Sequence, residues 1–106
     1  MEASSDWFKL YDPMLARNPN DPLINLRAGV LYYYLQDLHM GLEYLLKAWK
    51  SGRSAEAAYY LGRSFSQIGK EDEARWFWAQ CLAADGRVGG WRARCARRLS
   101  ASLWRR

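Results

Sequence analysis

This 106-residue sequence predicts an all-α fold built from antiparallel helix pairs, and three observations predict it. Apolar residues recur at i, i+3 and i+4 along most of the chain, the spacing of one helical face. Shifted by 33 positions, the chain matches itself by residue class. Glycine and proline are sparse and largely sit between apolar segments, as short turns joining regular elements require. Half of the residues are apolar and 15% aromatic, with six Trp and seven Tyr, which excludes a disordered chain. One domain spanning 1–106 is expected, long enough to bury about two-thirds of its unfolded surface.

The elements follow in order. Trp7, Tyr11, Met14 and Leu15 have helical spacing, which gives an N-terminal helix over about 5–18 that Pro13 must start, kink or end. Asp21 followed by Pro22 is an N-cap with proline at the first helical position, opening a helix at about 22–35. Asp37 caps a helix at about 38–51, with Gly52 as the residue that ends it. Ser54 caps a helix at about 55–68, broken by Gly69. Glu71, Asp72 and Glu73 fill the first turn of the next helix, where the dipole favours acids, and Gly86 ends that helix. Gly89 and Gly90 precede a last amphipathic helix at about 91–104.

The self-match is detailed. Ala28, Gly29 and Tyr32 fall on Leu61, Gly62 and Phe65; Gly41, Leu45, Ala48 and Trp49 fall on Ala74, Trp78, Cys81 and Leu82. At a period of 34, Cys95, Ala96 and Leu99 take the places of Leu61, Gly62 and Phe65. The frame is a half repeat at 5–18, repeat one at 21–53, repeat two at 54–86 and a capping helix at 90–104. Stacked units need about three repeats' worth of neighbours, which this chain just supplies.

Repeat two resembles a tetratricopeptide repeat. That family's first helix carries W-x2-L-G-x2-Y, against Ala58-x2-Leu61-Gly62-x2-Phe65 here; its second carries A-x3-F, against Ala74-x3-Trp78. Repeat one departs further, with Asn25, Ala28, Gly29 and Tyr32, then Gln36 in place of the turn glycine and Gly41 in place of the alanine. The resemblance covers about 20–99 and implies a right-handed α-solenoid of five to six helices. It also implies a concave groove lined by Leu23, Leu26, Val30 and Tyr33 from repeat one and by Tyr59, Arg63 and Ser66 from repeat two. Such a groove suits an apolar or amphipathic segment with an acidic group near Arg63. The competing reading is that the N-terminal helix folds over the apolar wall and fills it. Family members that bind chaperone carboxylate ends use asparagines and lysines; the aligned Val30 and Arg63 do not supply that set.

Catalysis is not expected. His39, the one histidine, lies on the polar side of a first helical turn, away from any Ser or Cys pattern. Cys81 and Cys95 do not match a zinc spacing; they fall at core positions, where a disulfide is open but unforced. Helix-dipole complementarity accounts for Glu71, Asp72 and Glu73 more simply than a metal does. No phosphate-binding or dinucleotide loop occurs, so no cofactor and no metal are expected. The N-terminus has no secretory pattern and no stretch is apolar enough to span a membrane, which makes the cytoplasm the default expectation.

Charge is lopsided. Residues 1–85 hold nine Lys/Arg against eleven Asp/Glu, whereas 86–106 hold seven Arg and no acid. In the last helix the stripe Trp91, Cys95, Leu99 and Leu103 faces the preceding repeat, which turns Arg92, Arg94, Arg97, Arg98, Arg105 and Arg106 outward. They read as a solvating cap, or as a strip for RNA, anionic lipid or an acidic protein. In the run RWFWAQC, Trp78 is expected in the core, Phe77 half-buried, and Trp76 on a polar face as a candidate convex contact.

The expected function is therefore a protein–protein interaction module whose partner is another protein or peptide. A polyanion binder acting through the arginine helix and a structural homo-oligomer are the alternatives.

Overall fold

The computed structural model describes residues 13–84 and 89–104, all helix and short connections, with no strand among them. The chain divides into two compact units, Met1–Gly52 and Arg53–Arg106. Trp7 and Tyr11, most of the expected N-terminal helix, Gly86, Arg105 and Arg106 lie outside the described residues. Residues 13–17 are helical.

In the first unit α1 (Pro22–Tyr34) and α2 (Leu38–Gly52) form a hairpin. α1 starts where Asp21 accepts the N–H groups of Leu23 and Ile24 on Oδ1 at 2.9 and 3.1 Å, with Pro22 occupying a position that needs no donor. Buried Asn25 donates through Nδ2 to the carbonyls of Pro19 and Asp21, both at 2.9 Å, pinning the preceding turn to the helix. The connection is a left-handed helix stop: Gln36 donates to Tyr33, Asp37 donates to Tyr32, and Gln36 takes φ +66°. Asp37 then caps α2 by accepting from Met40 at 3.2 Å.

Glycines set the spacing between these helices. A Cβ on Gly29 would lie 2.7 Å from Leu45 Cγ, and one on Gly41 would lie 3.3 Å from the Tyr33 nitrogen. Leu26, Ala28, Tyr33, Leu45 and Ala48 form the buried core, and Tyr32 stacks on Tyr44 at 5.5 Å. Gly52 does not serve as the left-handed residue expected of it. It is the last residue of α2, and Arg53 takes the positive φ of 47°. Gly52 is needed small for another reason: a Cβ there would lie 3.0 Å from Pro22 Cβ.

The second unit holds α3 (Ala55–Gln67), α4 (Glu71–Ala83) and α5 (Trp91–Trp104). Ser54 caps α3 by accepting from Ala57 at 3.1 Å. The α3–α4 connection repeats the bonds of the α1–α2 connection, Gly69 to Ser66 and Lys70 to Phe65, with Gly69 at φ +84°. No side chain caps α4; three acids in its first turn face the positive end of the helix instead.

Trp78, 2% exposed, lies flat over Gly62, where a Cβ would come 2.2 Å from Nε1. Phe77 is buried rather than half-buried, because Phe65 stacks on it at 5.5 Å and Trp76 meets it edge-on at 4.9 Å.

α5 is fastened to α4 covalently and polarly. Cys81 and Cys95 form a disulfide with Cα atoms 6.2 Å apart. The far end of the helix differs from the expected apolar stripe: Leu103 is 52% exposed, and Ser102 is buried in its stead. The Ser102 hydroxyl donates to Glu71 Oε2 at 2.6 Å and accepts from Arg75 at 3.1 Å, so the inward position belongs to a hydroxyl that satisfies two charged groups.

Candidate functional site

The residues expected to line a groove fall in both units. In the first unit, Leu23 in the opening turn of α1 is 58% exposed and Val30 is half-buried, while Leu26 and Tyr33 are core residues with little face to offer. Among the described residues of this unit the exposed aromatic is Tyr34, whose ring meets that of Tyr33 at 5.1 Å; Leu35 beside it is also exposed. Three consecutive tyrosines cannot all point inward on a helix, and that signal was readable in the sequence.

In the second unit, Ser66 is committed internally. Its hydroxyl donates to Glu71 Oε1, so Glu71 ties α3 through Ser66 and α5 through Ser102. Tyr59 and Arg63, one turn apart on α3, form a pair: the Arg63 guanidinium donates to the Tyr59 hydroxyl at 3.0 Å. Tyr59 is only 7% exposed, and its ring also packs against Trp91 at 5.4 Å. Burial pushes its phenol up. Hydrogen bonds and positive charge from Arg63 and Arg98 outweigh that and leave the hydroxyl more acidic than an ordinary tyrosine.

Above Tyr59 opens a pocket of about 360 Å³ lined by Tyr59, Arg94, Arg97, Arg98 and Ala101. The three arginines fall at i, i+3 and i+4 of α5, so they share one helical face. Arg94 lies over the Trp91 ring at 4.6 Å, which holds its stem in place. Arg92, grouped with them in the sequence, works elsewhere. It donates to the Ala84 carbonyl through Nε at 3.0 Å and through a terminal nitrogen at 2.5 Å, closing the C-terminus of α4.

The remaining candidates are simply placed. Trp76 is 52% exposed on α4, beside Arg75, whose guanidinium pairs with Asp72 at 2.5 Å. Trp104, 85% exposed at the end of α5, was not singled out in the sequence. His39 is exposed. Among the described residues no group of three His, Cys, Asp or Glu could hold a metal ion, and no helix is long and apolar enough to cross a membrane.

The pocket joins residues 35 to 42 positions apart, Tyr59 on one side and Arg94 to Ala101 on the other. No pattern within either helix announces that pairing. No protein-family model matches this chain, and neither does any curated protein.

Proposed function

We propose that the chain is a protein–protein interaction module, a right-handed stack of tetratricopeptide-like helix pairs that holds a segment of a partner by shape and charge and performs no chemistry. It would serve as an adaptor, a chaperone-like binder or a subunit of an assembly. The observation that carries this reading is the environment of Tyr59. It and Arg63, which donates a hydrogen bond to its hydroxyl, are two of the residues the family resemblance assigns to a groove, and Tyr59 lines a pocket together with Arg94, Arg97 and Arg98. A partner segment bearing an acidic group would find a rigid aromatic and several guanidinium forks together, the combination that dominates binding energies in protein interfaces.

Affinity capture with the intact chain tests the reading, repeated with Tyr59→Ala, Arg63→Gln and Trp76→Ala in turn. Captured partners should be lost with the first two. An unchanged captured set for all three would sink the proposal.

A second reading, polyanion binding, draws support from the same three arginines. It predicts affinity that falls steeply with salt on RNA or anionic vesicles, whereas recognition of one acidic group within an apolar contact falls gently. Cytoplasmic residence also belongs to the proposal, and the disulfide supplies its test, because such bonds persist in oxidising compartments. Alkylation trapping in cell extracts should find Cys81 and Cys95 reduced if the chain resides in the cytoplasm.

A further inference from the structure

We infer that the pocket over Tyr59 binds a phosphate monoester, the group that a phosphorylated side chain of a partner protein presents. This rests on the reading of the chain as a protein-binding module only for the source of the phosphate; the site itself rests on geometry and charge.

Three guanidiniums, those of Arg94, Arg97 and Arg98, border one pocket, with no carboxylate among its described lining residues. None of the three is ion-paired with a described acidic residue. Like charges a helical turn apart repel, and nothing described in the pocket offsets that repulsion. The Arg63 guanidinium donates to the Tyr59 phenol, and Arg98 across the pocket adds its positive charge there, so a neutral oxygen faces cations where an anion would be better placed.

The scaffold under these arginines is stiff. α5 is bonded to α4 through Cys81–Cys95 and held at its other end by Ser102 between Glu71 and Arg75, and Arg94 is stacked on Trp91. Binding then orders little more than the ends of the side chains.

The number of forks selects the ligand. A carboxylate carries one charge on two oxygens and answers one guanidinium, and a single exposed pair of that kind is worth little. A phosphate monoester carries about −1.5 to −2 charge on three acceptor oxygens, which matches three forks. A pocket of about 360 Å³ lies at the lower end of ligand-site volumes, suited to one phosphorylated side chain. Ala101, the small residue in the lining, leaves space beside Arg97 and Arg98, and the Tyr59 ring forms an apolar floor for the side-chain stem. Single-stranded nucleic acid fits less well, because it binds by stacking bases on aromatic faces. The Trp91 ring beside the pocket is already engaged by Tyr59, Tyr60 and Arg94.

The test is a set of titrations of the 106-residue chain, oxidised and near physiological salt, followed by NMR of the arginine side chains. The probes are N-acetyl-O-phosphoserine amide, inorganic phosphate, N-acetyl-glutamate amide and an oligo-uridine RNA. Phosphoserine and inorganic phosphate should saturate, shifting Arg94, Arg97 and Arg98, and phosphoserine should bind at least about tenfold tighter than the glutamate analogue. Arg97→Gln with Arg98→Gln should weaken phosphoserine at least about tenfold, while Lys50→Gln on α2, which removes one charge outside this unit, leaves it unchanged. Melting curves that match the parent chain establish that both variants are folded.

Glutamate binding as tightly as phosphoserine overturns the inference. So does a loss with the double variant no larger than with Lys50→Gln, or RNA displacing phosphoserine at equal phosphate concentration. If the phosphates bind as expected but the double variant captures the same proteins as the parent, the site stands and the protein-module reading falls.

Discussion

In the α1–α2 hairpin, the side chain lying over the first helix's glycine is Leu45; in the α3–α4 hairpin it is Trp78. Both hairpins turn through the same pair of backbone hydrogen bonds, yet one does so on Gln36 and the other on Gly69. The second carries α5, bonded to it by a disulfide and by a chain of hydrogen bonds through Glu71 and Ser102. The same joint can therefore be made with a small filler and an imperfect turn, or with a large filler, a relaxed turn and added fasteners. The added helix is also the one that brings arginines over Tyr59, so the better-fastened unit is the one with a site to hold still.

The largest expected effect lies in the fillers. Trp78→Ala should cost about 3–5 kcal/mol and Leu45→Ala about 2–5 kcal/mol, read from urea unfolding midpoints. Equal losses would mean that the tryptophan adds nothing beyond what leucine supplies. Next comes the disulfide. Replacing Cys81 and Cys95 together by alanine should cost about 3 kcal/mol for a loop of this length, and dithiothreitol should lower the midpoint of the parent chain to match. If amides of α5 keep their hydrogen-exchange protection in that variant, the Ser102 contacts suffice to dock the helix.

Ser102→Ala leaves Glu71 and Arg75 each short of one partner and should cost about 1–2 kcal/mol. Smaller still are the turns. Gln36→Gly should stabilise by about 0.5–1 kcal/mol by relieving a side chain at positive φ, and Gly69→Ala should destabilise by about 1 kcal/mol although nothing stands within 4 Å of the new Cβ. Opposite signs for these opposite substitutions would establish that the two turns share one backbone conformation and differ only in the residue that occupies it. Trp76→Ala should change stability least, within about 0.5 kcal/mol, since that residue is half exposed.

What was legible in the sequence was local or periodic. Asp21, Asp37 and Ser54 cap their helices because a short acceptor ahead of orphan N–H groups has one obvious use. Gly29 and Gly62 were readable as contact points because each recurs in register with large residues on the neighbouring helix. Trp76, Phe77 and Trp78 were separable for the same reason, although Phe77 is more deeply buried than its flanking position suggested. What was not legible depends on contacts distant in sequence. Leu103 had the right spacing and the right chemistry for the buried face of α5, but Glu71 and Arg75 give Ser102 a better claim to it from about thirty positions away. The arginines of α5 looked alike until Arg92 was found on the Ala84 carbonyl and the other three around Tyr59. Of the residues assigned to a groove, Tyr59 and Arg63 are joined by a hydrogen bond, but nothing in the sequence marked Leu26 and Tyr33 as core or Ser66 as engaged with Glu71.

The bond between Cys81 and Cys95 also makes the connection from α4 to α5 dispensable as a covalent link. A protease that cuts once between residues 84 and 89 leaves the two pieces joined through sulfur. Such a nicked chain should migrate as one species on a non-reducing gel and as two after reduction, with the arginine-bearing helix retained until a reductant arrives.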